Sequence, residues 1–119
     1  MTQSEAFVTD LVESHEWLRP VLAEHRLDYD EVLPHVLMAD VTRALVAAYL
    51  SGRDGDRPKL LAVLGDLEAA FDPDAVDDET MGVIALSFLF NLPSPGEPGD
   101  GIRRLLGRKL AGQLERSGW

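Results

Sequence analysis

The sequence predicts an all-α fold: one domain over residues 1–119, arranged as a compact bundle of five or six helices. Three observations carry that prediction. No segment alternates apolar and polar residues as a half-buried strand does. Apolar residues instead recur at three-to-four spacing along most of the chain. The Pro, Gly and Asp residues that interrupt this periodicity gather in short segments, as helix-ending and helix-starting residues do.

The first periodic segment runs from about Ser4 to Leu27, with Phe7, Leu11, Leu18 and Leu22 along one stripe. Pro20 lies inside it. Its ring removes an N–H and disfavours helical geometry at Arg19, so two short helices or one bent helix are expected. The next boundary is LDYDEVLP. Pro34 suits the first turn of a new helix, where its missing N–H has no partner to lose. That helix, HVLMADVTRALVAAYL, gathers Leu37, Met38, Val41, Leu45, Ala48 and Tyr49 on one side. It stops at SGRDGDRP, where glycines and aspartates supply turn chemistry. Asp56 is expected to cap the following helix, with Pro58 in its first turn. Leu60, Val63, Leu64, Leu67 and Phe71 form its stripe.

After FDPDAVDDET comes TMGVIALSFLFNL. No charge occurs from Thr80 to Gly96, and only Gly82, Ser87 and Asn91 are non-apolar between Met81 and Leu92. A helix apolar almost all round belongs in the buried centre of a domain. It is too short to span a bilayer, and Pro93, Pro95 and Pro98 follow at once. PSPGEPGDG reads as a loop. The last helix is expected from Gly101 to Arg116, burying Ile102, Leu105, Leu106, Leu110 and Leu114. Gly107 and Gly112 would each weaken it by about 1 kcal/mol relative to alanine. The middle two helices should pair as a hairpin, and so should the last two. Those pairs are offset by about 40 residues, so HEAT-like helical hairpin pairs are the alternative arrangement.

Composition narrows the function classes. At 45% apolar residues the chain belongs with folded domains, not disordered ones. The opening MTQSEAFVTD has acids where a signal peptide needs a basic and then an apolar run, so a cytoplasmic location is expected. The absence of cysteine removes disulfides, thiolate metal sites and cysteine nucleophiles. The net charge is −10 and unevenly placed. Eight acids and two arginines fall within residues 1–33, whereas five bases and one acid fall within residues 101–119. An acidic body with a basic tail helix repels nucleic acid and anionic lipid and attracts basic proteins. Solubility alone is the competing explanation of that charge.

The candidate sites follow. FDPDAVDDET holds five acids in ten residues, and no basic residue lies between Lys59 and Arg103. It fails as an EF-hand loop: counting from Asp72, the sixth position is Asp77 instead of glycine and the twelfth is Val83 instead of glutamate. Asp77 or Asp74 is expected to cap the next helix, with Asp78 and Glu79 near its positive dipole end. Asp72 and Asp74 are then free to face a partner. His15, His25 and His35 lie ten residues apart, which is not a ligand spacing on one helix, and SHEWL lacks the second histidine of HExxH. His35 and Asp40 would stand about 140° apart on an ideal helix, so Asp40 should pair with Arg43 instead. No serine lies in a G-x-S-x-G elbow, and Ser87 is expected to bond back to a carbonyl of its own helix. No phosphate-binding glycine loop is present. Neither a catalytic constellation nor a cofactor or metal site is expected. On the tail helix, Arg104 and Arg108 should share a face and pair with acidic loops of the same domain or of a second copy. Trp17 beside Glu16 and Tyr29 between two aspartates could serve as contact anchors, with a core position the equal alternative for Trp17.

DYDEVLPHVLMADVTR, followed by ALSFLFNLP and GIRRLLGRKL, resembles a group of small uncharacterised bacterial proteins. They share an L-P-H segment, an aspartate a few residues on, and a later S-F-L-x-N-L segment. The likeness covers about residues 16–110. Where a role has been assigned in that group, it is by likeness to immunity proteins of bacterial toxin systems. The resemblance implies an all-helical fold and a toxin partner, and it carries no catalytic residues.

The combined expectation is a non-enzymatic acidic protein that neutralises a basic toxin or effector domain. Its contact residues would be Asp28, Asp30, Glu31, Asp72, Asp74, Asp77 and Asp78, with Trp17 and Tyr29 as anchors. The alternative is a helical adaptor or homodimer whose basic tail helix meets the acidic face of another copy. A small hydrolase or metal-dependent enzyme is a third class.

Overall fold

A computed structural model describes residues 1–119. The chain is helical without strands. No helix is long and apolar enough to cross a membrane.

Helix α1 spans Gln3–Glu13, capped by Thr2, whose hydroxyl accepts the Glu5 N–H at 3.1 Å. The chain then breaks at Ser14 and His15, earlier than Pro20. A short 3-10 turn, Glu16–Leu18, leads into α2, Arg19–Tyr29. Pro20 therefore sits in the first turn of α2, where a missing N–H is tolerated, and the first segment is two helices. Helix α2 ends at Asp30, the one non-glycine residue with positive φ, 59°. Aspartate enters that region more readily than most side chains.

Helix α3 spans Pro34–Ser51 and begins at its proline as expected. Helix α4 spans Asp56–Ala70, and here the cap differs from expectation. Gly55 is the cap position and Asp56 is the first helical residue. Its carboxylate instead accepts from the Ser51 hydroxyl at 2.7 Å and from Arg53 Nε at 3.0 Å. Those bonds tie the end of α3 to the start of α4 and close the expected hairpin.

Helix α5, Asp78–Val83, runs directly into a π-helical segment, Ile84–Leu89. The Phe90 N–H donates to the Ala85 carbonyl at 3.0 Å, five residues back. Val83, Ile84, Phe88 and Leu89 are buried, as a central helix requires. The segment is not buried all round, however. Leu86 and Phe90 are 54% and 59% exposed. The absence of charge placed the segment at the core but could not show that one of its apolar faces meets water.

The C-terminal region is also two pieces. A 3-10 helix, Asp100–Leu105, is followed by extended backbone at Leu106 and Gly107, and α6 covers Arg108–Ser117. The break has a physical cause. The Glu68 carboxylate of α4 accepts the N–H groups of Lys109 and Leu110 at 2.9 and 3.0 Å. A Cβ at position 107 would lie 2.6 Å from that side chain. Gly107 is thus the entrance to α6, not an interior weak point. Arg104 and Arg108 accordingly belong to different helices.

Helix α3 is the hub. Leu37, Met38, Val41 and Leu45 are completely buried, and α3 packs against α1, α2, α4, α5 and the π segment. Helix α1 also meets α5, although α2, α3 and α4 intervene in sequence. Stacked hairpin repeats touch only their neighbours. The architecture is therefore a bundle around α3.

The π register yields a paired prediction. Phe88→Ala should cost about 3–5 kcal/mol of unfolding free energy, and Phe90→Ala under about 1 kcal/mol. Urea titration of both variants checks it, since two similar losses would mean a different register.

Candidate functional site

The acids expected to meet a partner fall in two places. The first is the second half of α2 and its connection to α3. Glu24, Asp28, Asp30 and Glu31 are exposed there. Two apolar side chains stand among them: Leu27 is 84% exposed and Tyr29 44%. Arg26 is exposed among them too, and Leu27 and Tyr29, two residues apart on α2, stand on different sides of the helix. Leu27 was hidden in the sequence because it ends the apolar stripe of the first segment. A cavity of about 330 Å³ opens beside it, lined by Val21, Glu24, Asp28, Tyr29, Asp40 and Arg43. Asp40 pairs with Arg43, as the i,i+3 spacing predicts.

Beneath this surface lies His25, 1% exposed, with its ring centroid 4.9 Å from that of Tyr29 and tilted 44° to it. The Leu33 N–H donates to its Nε2 at 3.0 Å. Nε2 therefore carries a lone pair, and the neutral ring holds its proton on Nδ1. Nδ1 has no hydrogen-bond partner; the nearest carboxylate, Asp40, is 4.0 Å away. Burial lowers the His25 pKa, and Asp28 and the Glu31 backbone oppose that in part. A neutral imidazole thus pins the connection from below. Nothing in the spacing of the three histidines marked this one.

The second place is the α4–α5 connection. Asp77 caps α5, accepting the Thr80 N–H at 2.9 Å and the Thr80 hydroxyl. Those two bonds lower its pKa. Asp72 is not free, contrary to expectation. One oxygen accepts the Asp74 N–H at 2.8 Å, and the other lies 3.8 Å from Lys109 Nζ on α6. Glu79 accepts the Ser4 hydroxyl at 2.7 Å. Asp74 and Asp78 remain exposed without an ion-pair partner.

Trp17 lies on the 3-10 turn, partly buried against the core, with its indole N–H buried and unpartnered. It also lines a shallow concavity with His15 and Lys59. Ser87 differs from expectation: its hydroxyl meets His35 Nδ1 at 2.7 Å. No carboxylate lies within 4.0 Å of His35, and neither residue lines any of the larger cavities. The pair clips two helices together. Of the basic residues near the C-terminus, Lys109 alone reaches an acidic loop of the same domain. No group of three or more His, Asp or Glu side chains is placed to hold a metal ion. No family model, curated protein or solved structure matches this chain.

The buried imidazole predicts a pH dependence with a definite sign. Its folded pKa lies below the unfolded value near 6.5, so protonation favours the unfolded chain. This contribution is complete above about pH 6.5 and is lost as pH falls toward the lowered folded value. His25→Gln, whose side-chain oxygen can still accept the Leu33 N–H, should remove this acid-side slope from a stability-against-pH series. An unchanged slope would assign it elsewhere.

Proposed function

We propose that this chain is a non-enzymatic binding protein that neutralises a basic protein, most specifically an immunity protein acting on a basic toxin or effector domain. The observation that carries the reading is the α2–α3 connection, where Leu27 and Tyr29 project among Glu24, Asp28, Asp30 and Glu31. Acids of one sign steer a basic partner and raise its association rate. The two apolar side chains then supply contact area whose removal from water favours binding. The buried His25 contact to Leu33 holds the connection in one shape, which lowers the ordering cost of binding. The likeness of LPHVLMAD and SFLFNLP to a group of small bacterial proteins, some of them likened to immunity proteins, suggests the class of partner. Asp74 and Asp78 make a second, smaller acidic face.

Affinity purification from the native host at low salt should recover a basic polypeptide in stoichiometric amount, released at high salt. Asp28→Lys with Glu31→Lys should slow its association by about tenfold or more and flatten the salt dependence. Asp30 is left in place because it holds the left-handed turn. Unchanged association and unchanged salt dependence in the double variant would sink the reading. Recovery of the chain alone, as a salt-sensitive dimer, would favour the homodimer instead.

A further inference from the structure

The chain carries 21 acids against 11 lysines and arginines, yet one cavity reverses that balance. It has a volume of about 600 Å³ and lies between α6 and the Phe71–Pro73 corner at the end of α4. Arg108, Lys109 and Arg116 all line it, against a single carboxylate, Asp72. Asp72 is engaged by Lys109. No carboxylate lies within 4.0 Å of Arg108 or Arg116.

Arg108, Gly112 and Arg116 occupy successive turns of one face of α6. A Cβ at position 112 would stand 3.2 Å from Arg116 Nη1. The Arg116 side chain therefore lies back over Gly112, toward the turn that carries Arg108. The Gln113 side-chain oxygen, Oε1, accepts from Arg116 Nη2 at 3.3 Å and helps hold it there. An oxyanion held by both guanidiniums would supply the negative partner that neither has within the chain. The first N–H groups of α6 are not the attraction, since Glu68 already occupies them. Phe71, Pro73 and Met81 contribute apolar surface to the same cavity.

We propose that this cavity binds a small organic anion. Its oxyanion group, a phosphate monoester or a carboxylate, is gripped by Arg108 and Arg116. Its apolar body rests on Phe71 and Met81. The volume is within the range of cavities that enclose small ligands. The site is independent of the acidic α2–α3 surface and stands whether or not that surface binds a toxin.

The test uses the full chain, labelled for NMR, titrated with phenyl phosphate, benzoate and benzyl alcohol at matched ionic strength in sodium chloride. Saturable shifts of the Arg108 and Arg116 side-chain N–H resonances are expected below about 10 mM with at least one anion. Whichever of phosphate and carboxylate binds identifies the source. Benzyl alcohol should not shift them. Arg108→Gln with Arg116→Gln, both exposed positions, should abolish binding. The proposal is overturned by three results: no saturable shift, equal shifts with chloride alone, or undiminished binding in that double variant. It also fails if the same resonances move when the protein is simply concentrated, because a second copy's acids then fill the cavity.

Discussion

The structure depends on one polar seam between α3 and the π segment, inside a largely apolar core. Thr42, buried in the middle of α3, donates its hydroxyl to the Met38 carbonyl at 2.8 Å and to the Ser87 carbonyl at 3.0 Å. The Ser87 carbonyl also accepts from Asn91 Nδ2 at 2.9 Å, and the Ser87 hydroxyl meets His35. A π turn spaces its backbone bonds differently from an α turn and disturbs the usual carbonyl ladder. Buried polar groups left unmatched cost more than a hydrogen bond contributes. The seam satisfies them, and so fixes the rotation of the π segment against α3. Ile84, Phe88 and Leu89 then face the core, while Leu86 and Phe90 face out. Phe90 in turn receives the Trp119 ring edge-on at 5.1 Å, so the C-terminus is set by the same rotation.

With α3 and the π segment held together, the charged parts of the molecule sit on the connections around them. The α2–α3 connection hangs from the first turn of α3 through His25 and the Leu33 N–H. The α4–α5 connection is held by the Asp77 cap below it and by Lys109 on α6 beside it. Glu68 reaches from α4 to start α6, which places Arg108 and Arg116 at the edge of that same connection. Acids and bases are thereby separated: one corner presents carboxylates with apolar anchors, and another presents guanidiniums beside apolar surface. A fold with a rigid centre and charged connections suits recognition, because the connections can differ without disturbing the core.

Much of the fold was legible because it rests on short-range signals. Pro34, the SGRDGDRP turn and the acids before Thr80 each mark a boundary through local backbone chemistry. The errors came where a distant side chain decides the outcome. Glu68 lies 41 residues before Lys109, so no local pattern announces that the tail helix must restart after Gly107. Asp56 looked like a cap because aspartate usually is one, but Ser51 and Arg53 were close enough to claim it. The π turn was invisible, since IALSFL suits an α-helix equally well. The candidate site divides the same way. The acidic clusters are plain in composition, whereas the exposure of Leu27, the burial of His25 and the engagement of Asp72 depend on packing.

Amide hydrogen exchange under native conditions tests the seam most directly. The account predicts that residues 41–45 of α3 and 84–89 of the π segment exchange together, only through global unfolding. The amides of residues 28–32 and 72–76 should exchange ahead of them. A π segment that exchanges well before α3 would contradict the account, because the charged connections would then not share a common rigid support.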